Sequence, residues 1–185
     1  NDTWKNLETV DLSSNEICHT GIVTLSKESV WNNLENLNLS NNSIYPTGGK
    51  ALGSNMSWAK LKELNLSWTS LYEEGTVGLF ENSSWKNLTT LNLSYCKIEE
   101  STRMTLLGSN NSWTELKTLD LSYNQLGAEG CLELSKNSAW NKLSMLKIIW
   151  NHIYVEGANH LKKRWPNLKF EKGASKFLLQ YYTYY

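Results

Sequence analysis

Trp68, Tyr95, Tyr123 and Trp150 follow one another at intervals of 27, 28 and 27 residues, and three positions before each stands Asn65, Asn92, Asp120 or Lys147. The chemistry such a set can do is recognition. Aromatic rings supply large apolar contact areas, and the amides, carboxylate and ammonium beside them supply directional hydrogen bonds. Trp and Tyr are also enriched among the residues that dominate binding energy at protein interfaces. Catalysis has no comparable set. His19, His152 and His160 lack H-x-x-x-H or HExxH spacing, and no GxSxG, phosphate-binding glycine loop or CxxC pair occurs. Asp11 and Asp120 belong to a regular series that faces a broad surface instead of a closed cleft. The expectation is therefore no enzymatic activity, no cofactor and no metal site.

The elements that position these residues come from a repeat. Trp-x-x-Leu recurs at Trp4, Trp31, Trp58, Trp85, Trp113, Trp140 and Trp165, at intervals of 27, 27, 27, 28, 27 and 25 residues. A fixed period of this size marks a stacked solenoid. Aligned on the tryptophans, the second unit reads Leu34, Leu37, Leu39, Asn42 and Ile44, followed by Gly48 and Leu52. The first holds Leu7, Val10, Leu12, Asn15 and Ile17; the third holds Leu61, Leu64, Leu66, Thr69 and Leu71. Leu88, Leu91, Leu93, Cys96 and Ile98 come next, then Leu116, Leu119, Leu121, Asn124 and Leu126, then Leu143, Leu146, Ile148, Asn151 and Ile153. The alternation in Leu37-Asn38-Leu39-Ser40 predicts a short strand with one buried face. Each unit then passes a glycine (Gly21, Gly48, Gly75, Gly130 or Gly157) into a stretch long enough for two or three helical turns.

This pattern, L-x-x-L-x-L-x-x-(N/C)-x-L, resembles the leucine-rich repeat over nearly the entire chain. Repeat length and the helical half look most like the ribonuclease-inhibitor-type subclass. The resemblance implies an α/β leucine-rich repeat solenoid: a horseshoe with a parallel sheet on the concave face and helices on the convex face. Residues 1–164 would hold six repeats, the chain starting at the end of a preceding one. Residues 165–185 would form a partial repeat and a cap or tail. Domains of this kind act as inhibitors, innate-immune sensor arms, ubiquitin-ligase adaptors or bacterial effectors.

Within that frame, outward positions form columns. Asp11, Asn38, Asn65, Asn92, Asp120 and Lys147 make the central one; Ser13, Ser40, Ser67, Ser94, Ser122 and Ile149 run beside it. The third column is Ser14, Asn41, Trp68, Tyr95, Tyr123 and Trp150. At a strand spacing of about 4.8 Å its four aromatics span roughly 14 Å. Tyr45, Tyr72 and Tyr154 extend this surface toward the rim.

Other conspicuous residues have framework explanations. The seven repeat tryptophans are expected between adjacent repeats. Asn15, Asn42, Asn124 and Asn151 resemble the family's ladder, whose buried amides satisfy backbone groups where the chain leaves each strand, with Thr69 and Cys96 substituting. The helix-entrance glycines are expected to permit close approach or an unusual backbone angle. Thr102 replaces that glycine in the fourth unit, which carries an extra residue, so an irregular convex layer is expected there. Asn55, Asn82 and Asn110 recur just before Ser-Trp, where a left-handed cap is expected. In the last unit Glu171 and Gly173 fall where core leucines belong, so the solenoid is expected to stop, with the apolar tail from Phe177 to Tyr185 folding over it as a cap.

Composition limits the partners. With 18 basic and 18 acidic residues the net charge is zero, which points away from nucleic acid and anionic lipid. No apolar run approaches the roughly 18 residues of a membrane span. The opening Asn1-Asp2-Thr3-Trp4 predicts a processed or truncated chain. Cys18, Cys96 and Cys131 are odd in number, without flanking disulfide caps, favouring a reducing, cytoplasmic location. The sequons at Asn1, Asn38, Asn41, Asn55, Asn65, Asn82, Asn87, Asn92 and Asn110 argue for secretion as the alternative.

The reading is a non-catalytic scaffold that binds a protein partner on the concave face. Trp68, Tyr95, Tyr123 and Trp150 would anchor it, and Asn65, Asn92, Asp120 and Lys147 would orient it. The alternatives are a carbohydrate-binding module that uses the aromatic row and a structural spacer within a larger protein.

Overall fold

The period-two leucines become one short strand per repeat in a computed structural model, which describes residues 4–28, 31–99 and 104–170. The strands are β1 (Thr9–Asp11), β2 (Asn36–Asn38), β3 (Glu63–Asn65), β4 (Thr90–Asn92), β5 (Thr118–Asp120), β6 (Met145–Lys147) and β7 (Lys169–Phe170). Between them lie α1 (His19–Glu28), α2 (Tyr45–Gly53), α3 (Tyr72–Phe80), α4 (Met104–Ser109), α5 (Gly127–Ser135) and α6 (Tyr154–Arg164). The seven strands form one sheet in chain order. Every pairing is parallel, and the core leucine of each strand sits beside its equivalent: Leu37 by Leu64, Leu64 by Leu91, Leu91 by Leu119 and Leu119 by Leu146. This is a leucine-rich repeat solenoid of the α/β class, as the frame predicts.

The core is a continuous column. Leu34, Leu39, Leu61, Leu66, Leu88, Leu93, Leu116 and Leu121 are fully buried, and helix residues such as Leu52, Leu79, Leu107 and Leu134 close it from the other layer. Each such leucine contributes about 1.5–3 kcal/mol when removed from water. The repeat tryptophans stack between neighbouring units: Trp31 on Trp58 at 6.3 Å, Trp85 on Trp113 at 6.4 Å, and Trp113 on Trp140 at 6.3 Å. Trp4 departs from the expectation for the series. It is 58% exposed, because no described repeat covers its outer side.

The helix-entrance glycines serve close approach and not an unusual angle. A Cβ at Gly75 would lie 3.0 Å from Pro46 Cα, and one at Gly157 would lie 3.2 Å from Ala128 Cα. Tighter still, a Cβ on Gly53 would fall 2.0 Å from the Gly78 carbonyl oxygen, so α2 and α3 meet backbone to backbone. In the fourth unit the described part of α4 runs from Met104 to Ser109. Thr102 itself, like the tail beyond Phe170, lies outside the described residues.

Two hydrogen-bond ladders tie repeat to repeat. In the first, Asn42 Oδ1 accepts the N–H groups of Asn15 and Ile17 from the preceding unit, while its Nδ2 donates to the Leu12 and Leu39 carbonyls. Asn124 repeats this with Cys96, Ile98, Leu93 and Leu121. Cys96 fits the same position as a thiol donating to the Leu66 carbonyl at 3.0 Å. Burial pushes its pKa up to about 12, so it is protonated at neutral pH. The Asn15 side chain, by contrast, is exposed and its Nδ2 donates to Ser13 O within its own turn, with no preceding repeat among the described residues.

The second ladder corrects the reading of Asn55, Asn82 and Asn110. None has a positive φ. Each is buried, and with Asn137 they tie together the helix ends. Asn82 Nδ2 donates to Gly53 O and Asn55 O at 2.7 and 2.9 Å, and its Oδ1 accepts Ser84 N–H and Trp85 N–H at 2.9 and 3.1 Å. Asn137 bonds Leu107 O, Asn110 O, Ala139 N–H and Trp140 N–H in the same way.

The seventh unit also departs from the frame. A strand does form there, in which Phe170 and not Glu171 stands opposite Leu146. The last unit is one residue shorter between its tryptophan and its core position, which brings an apolar residue into register.

Replacing Asn82 by Ala leaves two carbonyls and two N–H groups without their partner. We expect a loss of about 2–4 kcal/mol in urea unfolding, since a stranded buried group costs ~1–3 kcal/mol. Asn15→Ala, at the exposed edge, should cost under about 1 kcal/mol. Equal losses would contradict the ladder.

Candidate functional site

Every repeat turns sharply after its strand, and the residue at the turn is left-handed: φ is 57° at Ser14, 54° at Asn41, 60° at Trp68, 55° at Tyr95, 57° at Tyr123 and 55° at Trp150. Backbone bonds to the next repeat hold these turns. Trp68 N–H donates to Ser94 O at 3.0 Å, Tyr95 N–H to Ser122 O at 3.1 Å, and Tyr123 N–H to Ile149 O at 2.7 Å. Left-handed geometry costs a non-glycine residue about 1–2 kcal/mol and suits Asn best. Ser14 and Asn41 show that a small polar residue fits the position. Four consecutive aromatics therefore occupy it against local preference.

Their rings form one stack. Trp68 and Tyr95 lie 3.6 Å apart at 13°, Tyr95 and Tyr123 4.4 Å at 19°, and Tyr123 and Trp150 6.3 Å at 21°. The row nonetheless faces solvent: Trp68 is 54% exposed, Tyr123 41% and Trp150 60%, with Tyr95 half-buried between neighbours. Tyr95 has close rings on both faces, at 3.6 and 4.4 Å, whereas Tyr123 has a close ring on one side and a more distant one, at 6.3 Å, on the other. Only the end rings, Trp68 and Trp150, keep a face that the row does not cover.

The central column is less free than its residue types imply. Asn65 Oδ1 accepts Ser67 N–H and Oγ–H at 3.1 and 2.9 Å, and Asn92 Oδ1 does the same for Ser94 at 3.0 and 2.8 Å. Asp120 Oδ1 accepts Ser122 N–H at 2.9 Å. These are side-chain turns of the kind Asn and Asp favour, and they brace the backbone just before the aromatic corner. What remains for a ligand is the Asn65 and Asn92 Nδ2 groups and the second Asp120 oxygen. Asp11 plays the same part for Ser13, whose hydroxyl and N–H, in that order, hold its carboxyl below the ordinary range. In the serine column Ser67 and Ser122 are buried, while Ser13, Ser40 and Ser94 are half-buried. Lys147 is half-buried at the far end of the column.

The rim tyrosines Tyr45, Tyr72 and Tyr154 are also left-handed, at 56°, 54° and 46°. Gly127 holds the equivalent place in the fifth unit, with φ 60°. None of the three makes a ring contact with the row among the described residues. Tyr72 instead pairs with Lys97, whose Nζ donates to Tyr72 Oη at 2.9 Å and lies 4.8 Å from the ring centroid. That hydrogen bond raises the Lys97 pKa. The pair was not evident from sequence, although Lys97 directly follows the ladder residue Cys96. Beside Trp68 a shallow depression of 360 Å³ is lined by Ser14, Glu16, Asn41, Asn42, Ser43, Trp68 and Ser70. Glu16 and Ser70 also escaped the column reading, since both sit one residue past the ladder position.

No group of three or more His, Cys, Asp or Glu able to hold a metal ion occurs among the described residues. No described helix is long and apolar enough to cross a membrane. Cys18 is exposed; hydrogen bonds from the Thr20 hydroxyl and then from the Gly21 and Thr20 backbone lower its pKa.

A family model agrees with the frame in four segments of the chain. The family model described as "Leucine Rich repeat" matches residues 5–26, 32–53, 86–100 and 114–135. No curated protein matches the sequence. Among solved structures, the chain is similar to an internalin from Listeria monocytogenes str. 4b F2365 at 14% identity and a TM-score of 0.30, over 89% of this chain and 60% of that one. The chain thus spans less than two thirds of that structure.

Because Tyr95 has a ring on each side and Trp150 has one, the stack makes them unequal. Tyr95→Ser should lower the free energy of unfolding by about 1–3 kcal/mol and Trp150→Ser by under about 1.5 kcal/mol, at ~0.5–1.5 kcal/mol per aromatic pair. Equal losses in urea titrations would count against a continuous stack.

Proposed function

This chain is a leucine-rich repeat protein, and from that premise we propose that it is a non-catalytic scaffold that binds a protein partner on the concave face of its sheet. The observation that carries the reading is the stack of Trp68, Tyr95, Tyr123 and Trp150. Trp68, Tyr123 and Trp150 are exposed and Tyr95 is half-buried; Trp68, Tyr95 and Tyr123 are pinned by backbone bonds to the next repeat, and all four stand at turns where small polar residues suffice elsewhere in the same chain. A rigid aromatic surface loses little conformational freedom on binding, which is the condition for an interface anchor. The Asn65 and Asn92 Nδ2 groups, Asp120 and Lys147 lie alongside to orient the partner.

A carbohydrate module is less well supported. Sugars stack on ring faces, and both faces of Tyr95 and one face of Tyr123 are taken up by close neighbours. A spacer role leaves the exposed row without a purpose. Six repeats through residue 164, followed by a partial repeat and cap over 165–185, remain our reading of the domain organisation.

The ladders bear on the compartment, which we propose to be cytoplasmic. Asn55, Asn82 and Asn110 are sequon asparagines whose Nδ2 groups are buried against the carbonyls of the preceding helix end. A glycan on any of them would break the ladder. This favours a cytoplasmic site, or another compartment without N-glycosylation, over passage through a glycosylating secretory route.

Tyr123→Ser and Trp150→Ser should each weaken binding to a partner identified with the wild-type chain by roughly 30-fold or more, the size of an interface hot spot. Lys136→Ala, on the helical layer, should leave it unchanged. Calorimetry or surface plasmon resonance reads both, with circular dichroism as the folding control. Undiminished binding by the two aromatic variants would overturn the proposal.

A further inference from the structure

The aromatic row ends at Trp68, and the ledge where it ends has a composition of its own. One face of the Trp68 ring is covered by Tyr95. Beyond the other, the row continues as Asn41 and Ser14, whose side chains are shorter than an indole and leave the 360 Å³ depression. That volume is at the small end of the ~300–1,000 Å³ of ligand sites.

Its polar atoms are mainly acceptors. Asn41 donates through Nδ2 to Ser14 Oγ at 3.0 Å, which leaves Asn41 Oδ1 as the atom turned to a ligand. Glu16 is exposed, and its carboxylate makes no ion pair or hydrogen bond with another described residue. The hydroxyls of Ser43 and Ser70 complete the rim. The slot thus combines an uncovered indole face, an uncompensated carboxylate and an amide oxygen.

We propose that this slot receives an arginine side chain of the protein partner. The proposal rests on the reading of the aromatic row as a protein-binding surface. The guanidinium plane continues the stack as its next layer on Trp68, and its N–H groups bond the Glu16 carboxylate and Asn41 Oδ1. Arginine fits on three counts. It is planar, it carries only donors, and its charge is attracted both to the indole face and to the carboxylate. A lysine lacks the plane, and a neutral aromatic ring leaves the carboxylate unmatched. A sugar ring can donate its hydroxyls to these acceptors but leaves the charge of the carboxylate unmatched.

The test uses the full chain and the capped tripeptide acetyl-Gly-Arg-Gly-amide, with the citrulline peptide as an uncharged isostere and the lysine peptide as a non-planar cation. The readout is the ¹H–¹⁵N signal of the Trp68 indole, assigned by its loss in Trp68→Asn, which places at 68 the residue type found at the equivalent position 41. The arginine peptide should shift this signal saturably, with the citrulline and lysine peptides at least threefold weaker. Glu16→Gln should weaken the arginine peptide by about three- to tenfold, the range of one exposed charge pair with a cation–π contact. Equal shifts by citrulline, no shift by arginine, or no effect of Glu16→Gln would overturn the proposal. Partner binding lost in Trp150→Ser but kept in Glu16→Gln would leave the scaffold reading standing and remove the arginine slot alone.

Discussion

Every turn in a stacked repeat removes backbone N–H and carbonyl groups from water without giving them partners in their own strand or helix, and they must be bonded by the neighbouring repeat. This requirement organises the whole molecule. On the sheet side it is met by Asn42, Cys96, Asn124 and Asn151, and on the helix side by Asn55, Asn82, Asn110 and Asn137. Each amide reaches back one unit, so no repeat is satisfied alone. Stability is then cooperative along the stack, and the leucine column supplies the apolar burial that the ladders keep in register.

The same requirement creates the binding surface. Because the turn after each strand is bonded to the next repeat, its residue is locked left-handed whatever its type, as the shared geometry of Ser14, Asn41, Trp68 and Tyr123 shows. The angle is thus a property of the frame, and the choice of side chain is what distinguishes one unit from another. Four aromatics at successive turns become a stack because the frame sets their spacing and direction. Asn65, Asn92 and Asp120 stand just upstream and brace the turn with their oxygens, so part of the polar column is scaffold and only its remainder is offered to a ligand.

Much of this was legible in the sequence, and for one reason: a period of 27 or 28 residues converts position in the chain into position on a face. The strands, their parallel order, the buried tryptophans from Trp31 onward and the aromatic row all follow from the alignment. What it could not convey depended on three-dimensional neighbours. Asn55, Asn82 and Asn110 looked like helix caps, and only the carbonyls of the preceding unit reveal them as a second ladder. Trp4 and Asn15 match the frame as well as their counterparts but lie at an edge where nothing described covers them. Phe170 pairs with Leu146 because the last unit is one residue shorter between its tryptophan and its core position, which a fixed count does not capture. Glu16 carries no periodic signal, and its place in the same depression as Trp68 emerges only when three successive units are stacked.

The central claim is that the exposed aromatic row is held rigidly by backbone bonds between repeats. Amide hydrogen exchange at Trp68, Tyr95 and Tyr123 tests it most directly, because their N–H groups donate to Ser94, Ser122 and Ile149 in the next unit while their side chains lie at the surface. The account requires these amides to exchange as slowly as those of Leu66, Leu93 and Leu121, the buried residues that directly follow β3, β4 and β5 and bond to the next repeat, through opening of the stack as a unit. Exchange at the rate of a solvated loop would mean that the turns move independently, and would contradict it.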